Sequence, residues 1–379
     1  EEFAKKALAW AKTQSAIVSA ATKETATSTT VTFNNLALGY YLVDTSLGVL
    51  CGLDTTKPDA TINEKNDAPV IEKKVKDATG SWADSNTAKI GDTVEYQVTI
   101  TVQTANTNYT LHDTMSEGLT FNKDSVKVTV NGTDVAASNY SVITDGLTNE
   151  TFNVKFEDSY IATLTAGTDI VVTYTATVND KAKSDSTENK NNAHLSYGNN
   201  QSTTHDSTET DLFQFDLIKY SGSTKKLLAG AKFKLYDAAT GGNVIPIVKN
   251  SDGTYRVATA AETGVEIETT DTGVIRISGL DKKEYWLEET QAPAGYNALA
   301  SRAKVDLTQG SKTATLSNTT TYDPDDANNI GGVPVVNNSG TTLPSTGGIG
   351  TTIFYVIGGG LMVAAAVLLI TKKRMESKN

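Results

Sequence analysis

Apolar residues recur at every second position in short runs, and this periodicity confines most of the chain to β-structure. Val94, Tyr96, Val98 and Ile100 alternate with polar residues, as do Val126, Val128 and Val130, and Phe152, Val154 and Phe156. Clusters of Gly, Asn, Asp and Thr separate the runs, the pattern of antiparallel sandwiches. Helix is expected in two places. One is the start, where Phe3, Ala7, Trp10 and Ala11 share a face. The other is the apolar run Ile353 to Ile370, long enough to form a transmembrane helix, with Lys372, Lys373 and Arg374 held on the cytoplasmic side.

The 379 residues allow two or three domains of ordinary size. Breaks are expected at Thr55 to Pro69, which holds Pro58, Asn63 and Asn66, and at the polar run Thr203 to Thr210. Asp323 to Thr342 reads as a flexible stalk, with Asp323, Asp325 and Asp326 solvated and matching no calcium loop. The expected organisation is therefore 1–68, 69–211 and 212–322, then a linker over 323–342 and a C-terminal segment over 343–379. Lys and Arg number 33 against 44 Asp and Glu, a net charge of −11 that argues against nucleic acid as a partner. The single cysteine, Cys51, leaves no intramolecular disulfide. The start, Glu-Glu-Phe, has neither methionine nor a signal segment, so a missing front is expected.

Turnover chemistry has no foothold in the pattern. His112, His194 and His205 sit in polar contexts with no nucleophile at a recognisable spacing, and neither a phosphate loop nor clustered metal ligands stand out. No metal or cofactor is expected. A lysine, a carboxylate and an asparagine, each in phase with apolar residues, appear twice instead. In 69–211, Lys73 shares a face with Ile71 and Val75, Asp113 with Leu111 and Met115, and Asn191 with Ala193 and Leu195. Parity alone leaves Lys74 and Asn192 as competitors one register step away. In 212–322, Lys219 aligns with Phe215 and Leu217, Glu289 with Tyr285 and Leu287, and Asn318 with Leu316. A buried lysine tends to lose its proton and a buried carboxylic acid to keep one. A neutral amine beside an acid-polarised carboxamide can form an amide and release ammonia. The expected products are Lys73–Asn191 and Lys219–Asn318 isopeptide bonds, with Asp113 and Glu289 as the catalytic acids.

Several stretches resemble known families. Leu343-Pro344-Ser345-Thr346-Gly347, ahead of the apolar run and basic tail, resembles the LPxTG substrate motif of Gram-positive sortases, which implies cleavage after Thr346 and transfer of its carbonyl to an amine. Phe215 to Lys219, Leu228 to Phe233, Ile277 to Leu280 and the E-box-like Tyr285 to Tyr296 resemble the collagen-adhesin B-type (Cna-B) domain, which places the acid at Glu289. The preceding module resembles the isopeptide-forming fimbrial A-type domain, whose aspartate maps to Asp113 and whose pattern favours Lys73 and Asn191. Ala60 to Asn66 is similar to the pilin motif, with Asn-Glu before Lys65 where the commoner form has Tyr-Pro. Leu38 to Asp44 looks like the end of a truncated B-type sandwich. Its Asp44 is out of phase and has no matching lysine, so no crosslink is expected there.

The resemblance implies tandem immunoglobulin-like (Cna-type) sandwiches in a sortase-assembled backbone pilin, secreted, anchored to peptidoglycan in the cell wall and polymerised into a pilus. Subunits would join head to tail through Thr346 and Lys65 by a pilin sortase, and a housekeeping sortase would attach the fibre to the wall. Accessory pilins and host surface ligands are the further partners it implies. The only self-catalysis expected is intramolecular isopeptide formation, which makes the chain no enzyme. A monomeric wall-anchored adhesin and an accessory pilin are the alternatives.

Overall fold

The computed structural model describes residues 2–24, 31–44, 49–62, 68–103, 107–198 and 201–340. Lys65, the sorting motif 343–347 and the apolar run lie outside these residues. No helix among the described residues is long and apolar enough to cross a membrane.

The chain opens with helices Glu2–Lys12 and Ser15–Ala20 and a hairpin pairing Gly39–Val43 with Val49–Leu53. The first helix buries Ala4 and Ala11, whereas Phe3 and Trp10 are exposed. The buried stripe is thus made of small residues, one position round from the face suggested by the large ones.

Two β-sandwiches follow. Alternation places Val94, Tyr96, Val98 and Ile100 inward from Thr93–Thr101, and Ile170, Val172, Tyr174 and Ala176 inward from its antiparallel neighbour Asp169–Val178. These strands, with Val70–Lys76 at one side and Leu119–Val130 at the other, form one sheet of the first sandwich. The facing sheet runs Tyr140–Ile143, Phe152–Phe156, Thr110–Met115, Lys190–Tyr197, Asp206–Asp211 and Ser85–Thr87. The polar run read as a break is therefore partly a strand. Asp206–Asp211 pairs with Lys190–Tyr197 and turns Thr208 and Thr210 inward, so threonine does the work of an apolar residue there.

In the second sandwich, Phe213–Ser221 lies between Val274–Leu280 and Val333–Asn337, facing a sheet of Lys232–Tyr236, Glu284–Gln291 and Ala303–Asp306. The expected stalk over 323–342 is corrected here. Val333–Asn337 is the closing strand, parallel to Phe213–Ser221 with Lys219 opposite Val335, and Ser339 makes a further bridge to Tyr296. Pro334 marks this strand as a linker in the sequence, but an edge strand has one row of N–H groups without ladder partners and tolerates proline. Val333, Val335 and Asn337 are buried.

The two sandwiches meet end to end with a continuous core. Ile90 N donates to Gly279 O at 3.0 Å, and Gly279 N donates to Ser184 Oγ at 2.8 Å. Thr87 Oγ1 donates to Asp281 Oδ1 at 2.6 Å, and Gln214 Nε2 to Asp185 Oδ2 at 2.9 Å. Gly279 has φ +77°, and a Cβ there would lie 2.5 Å from Ile90 Cδ1. Gly279→Ala is expected to cost about 1–3 kcal/mol through backbone strain and overpacking. The check is a lowered denaturation midpoint together with faster proteolysis between the sandwiches.

Candidate functional site

Each sandwich holds a lysine, a carboxyl and an asparagine in its core. In the first, Lys73, Asp113 and Asn191 are each at most 1% exposed. Lys73 rises from one sheet; Asp113 and Asn191 descend from the other, on adjacent strands where Ala193 pairs with Asp113 and Asn191 with Met115. Lys73 Nζ donates to Asp113 Oδ2 at 2.6 Å and also contacts the Tyr174 hydroxyl. That hydroxyl donates to the same Asp113 oxygen and accepts from Asn191 Nδ2 at 3.3 Å. The register alternatives are resolved by charge. Lys74 turns outward to Asp84 at 2.6 Å and Glu72 at 3.1 Å, and Asn192 lies on the outer face.

Tyr174 is a site residue that the sequence reading missed. Its signal was its phase with Ile170 and Val172, which reads equally well as plain core. The Tyr96 and Tyr174 rings stack at 5.5 Å and lie 5.3 and 5.0 Å from Lys73 Nζ. Burial pushes the Lys73 amine down against the opposing pull of Asp113, and pushes the Asp113 carboxyl up against the opposing pull of Lys73. Both directions favour the neutral pair, an amine with a free lone pair beside a protonated acid. Asp113 Oδ1 and Asn191 Oδ1 are buried with no hydrogen-bond partner. Two orphan acceptors in one dry site lack a donor, and a carboxylic proton is one.

The second sandwich brings Lys219 and Glu289 together, Nζ to Oε1 3.5 Å, with both side chains fully shielded. The asparagine beside them is Asn337, 1% exposed, whose Nδ2 donates to Glu289 Oε2 at 2.9 Å and to Asn297 O. Leu299 N donates to the same Glu289 oxygen at 2.8 Å, and Lys219 Nζ donates to Val335 O at 3.1 Å. Asn318, the residue expected here, is instead exposed, its Oδ1 accepting from Thr320 N and Oγ1 at 2.8 Å. The reason is local: Leu316 and Asn318 lie in a turn-rich stretch with isolated bridges, and the alternation that reaches the core is Val333, Val335, Asn337. Glu289 Oε1 and Asn337 Oδ1 are the orphan acceptors of this site. Asp44 is exposed and ion-paired with Lys12 at 2.9 Å.

Comparisons with known proteins fit this geometry. Residues 90–201 match the family model of the Gram-positive pilin backbone subunit 2, Cna-B-like domain; residues 213–321 match the SpaA prealbumin-like fold domain; residues 335–377 match the LPXTG cell wall anchor motif. The chain thus carries, in order, matches to a pilin backbone domain, a prealbumin-like domain and a cell wall anchor motif, each over one part of its length. A curated relative is the trypsin-resistant surface T6 protein of Streptococcus pyogenes serotype M6, 26% identical over 298 residues, 69% of this chain and 50% of that protein. The chain thus spans half the length of that relative. Among solved structures, full-length major pilin RrgB of Streptococcus pneumoniae aligns with TM-score 0.55 and 16% identity over 78% of this chain and 79% of that one. The T6 backbone pilin of Streptococcus pyogenes aligns with TM-score 0.51 and 19% identity over 79% of this chain and 77% of that one. These two share the fold of this chain. The prealbumin-like match stops at residue 321, short of the Val333–Asn337 strand that carries the second asparagine.

Burial lowers Lys219 to about 8, against the pull of Glu289. A folded pKa below the unfolded value means the unfolded chain binds more protons between the two, so this group's contribution to stability rises as pH rises from about 8 towards its ordinary value. In an Asn337→Ala background, which removes the carboxamide beside the amine, Lys219→Met should be the more stable protein at pH 7. That gap should narrow towards pH 10, by about 1.4 kcal/mol for each tenfold by which folding weakens proton binding to the amine. Urea melts of the pair at the two pH values read the gap directly.

Proposed function

We propose that the chain is the shaft subunit of a covalent surface pilus, reinforced inside each sandwich by a self-formed isopeptide bond. The observation that carries this reading is the repetition of one buried lysine–acid–asparagine arrangement in two differently connected sandwiches. A charged lysine is among the costliest groups to bury, and two such burials in the same chemical company call for a chemical use.

In the first sandwich, neutral Lys73 Nζ attacks the Asn191 side-chain carbonyl carbon while protonated Asp113 hydrogen-bonds its oxygen. The proton lost by the amine reaches the departing nitrogen through Asp113, the C–N bond breaks and ammonia leaves. In the second, Lys219 is the attacking amine, Asn337 the carboxamide that loses ammonia, and Glu289 the residue that carries the proton from one nitrogen to the other. Each bond forms once, so the chain processes itself and turns over no substrate.

The anchor motif supports wall attachment, with Thr346 as the acyl donor to a sortase. Lys65 is the proposed acceptor amine on the next subunit. A pilin sortase would catalyse polymerisation, a housekeeping sortase the transfer to peptidoglycan, and the fibre would stand on the cell surface. A filament one subunit wide carries tension through every module in series. Covalent closure between strands keeps a sandwich from being sheared open, and closing a long loop also penalises the unfolded state.

Intact mass of the mature chain should be lower than its sequence predicts by two molecules of ammonia. Asn337→Ala and Glu289→Ala should each restore one, Asp113→Ala the other, and Asn318→Ala neither. A full-length wild-type mass would remove the isopeptide proposal. Polymerisation is read separately, from wall extracts on a denaturing gel. A covalent ladder that disappears in Lys65→Arg supports the shaft reading, whereas a single band in both proteins marks a monomeric wall-anchored protein.

A further inference from the structure

All three histidines of the chain converge on one spot, the outer face of the first sandwich. Because neighbouring residues on a strand point to opposite faces, the strands that send Asp113 and Asn191 inward send His112 and His194 outward. His112 and His194 are paired directly across Thr110–Met115 and Lys190–Tyr197, and their rings stack at 4.6 Å. On the other side of His112, Asn153 is its cross-strand partner, and Asn153 Nδ2 donates to Glu150 Oε2 at 2.8 Å. This leaves Glu150 Oε1 3.0 Å from His112 Nδ1. One donor atom from each of His112, Glu150 and His194 lies within 4.8 Å of the other two. His205 stacks on His194 at 4.4 Å.

From this arrangement we infer a divalent transition-metal site of the zinc class, with His112, Glu150 and His194 as its protein ligands and water in the fourth position. Two imidazole nitrogens and a carboxylate oxygen are the donor set of such ions. The tautomer points the same way. His112 Nε2 lies 2.8 Å from Ser196 Oγ. When Nε2 donates there, Nδ1 turns a bare lone pair towards a carboxylate oxygen, and two acceptors at that distance repel unless a cation lies between them. Ser196 then acts as the outer partner that fixes a metal-binding ring, and Asn153 does the same for Glu150.

Ligand atoms around tetrahedral zinc sit about 3.3 Å apart, so side-chain rotation must close the set by about 1.5 Å. All three ligands lie on the outer face of the sheet and none is fully buried, the His112 and Glu150 side chains keeping 17% and 24% of their surface exposed, so rotation moves them outside the core.

A metal here would tie the Glu150 segment and the two strands bearing Asp113 and Asn191 together from the outside. The test is titration of the tag-free full chain with zinc chloride at pH 7.5, read by calorimetry and by the denaturation midpoint. One zinc per chain with a raised midpoint is expected, reversed by EDTA. His194→Gln and Glu150→Gln should each weaken binding at least tenfold, and Ser196→Ala severalfold, with the ammonia-loss mass signature unchanged as the control for folding. Absence of binding overturns the site and identifies a proton as the bridge between His112 and Glu150. Binding of equal strength in both ligand variants overturns it too, by placing the zinc elsewhere.

Discussion

The rest of the structure hangs on a lysine amine held in a dry core next to a carboxyl. Transfer of either charged group from water costs several kcal/mol even after relaxation, and their mutual attraction repays that only with good geometry and satisfied partners. In the first sandwich the attraction is well placed, yet Asp113 Oδ1 and Asn191 Oδ1 have no donor. A core with such orphans is poor as a stabilising network and good as a reacting one. The aromatic box of Tyr96, Tyr174, Phe121 and Phe152 surrounds it, and that burial pushes the lysine down and the acid up. The second site has an open aspect of the same logic: Glu289 is pinned by Leu299 N and Asn337 Nδ2, and Lys219 leans on a backbone carbonyl of the very strand it would join.

The proposed bonds also define where tension would run. In the second sandwich Phe213–Ser221 and Val333–Asn337 are parallel neighbours, so opposite pulls on the chain's entry and exit would slide them past each other and load all their hydrogen bonds at once. A Lys219–Asn337 bond sits close to the exit end of both strands and takes that load covalently. In the first sandwich a Lys73–Asn191 bond crosses between the sheets and spares everything between those residues. What remains outside covalent protection is the stretch from Asn191 to Lys219. That stretch contains Asp206–Asp211, and its passage into Phe213–Ser221 is braced by Ser184, Asp185 and Gly279. The dense hydrogen bonding and shared core at this joint fall where the covalent path has its gap.

Period-two alternation located many of the sandwich strands and placed Asp113, Lys219 and Glu289 inward, because parity is fixed by backbone geometry and burial is decided by the apolar neighbours; between Lys73 and Lys74, and between Asn191 and Asn192, it left the choice open, and the family resemblance favoured the two that the structure buries. It failed at Asn318 for an equally physical reason. Parity says which way a side chain points once a strand exists, and the Leu316 stretch is held by turns. The strand that does close the sandwich was hidden by Pro334 and by its flanking Gly and Asn, which signal a linker except on a sheet edge. Tyr174 was legible only as core, since a tyrosine in phase with valines shows nothing of where its hydroxyl goes. The three histidines, far apart in sequence, became neighbours through strand pairing, which no local spacing reveals.

That last convergence follows from the same geometry as the isopeptide sites. A two-faced strand cannot fix Asp113 and Asn191 on its inner side without also fixing the register of His112 and His194 on its outer side. Any group that clamps the outer pair therefore constrains the inner one, and the register that brings acid and asparagine together is the register that stacks the imidazoles. A sheet pinned from outside would hold its inner reactants in place before the covalent bond forms, the stage at which the core still carries its unsatisfied acceptors. Once the amide exists the covalent link alone fixes the register, and an outer clamp would matter most to the young, unlinked domain.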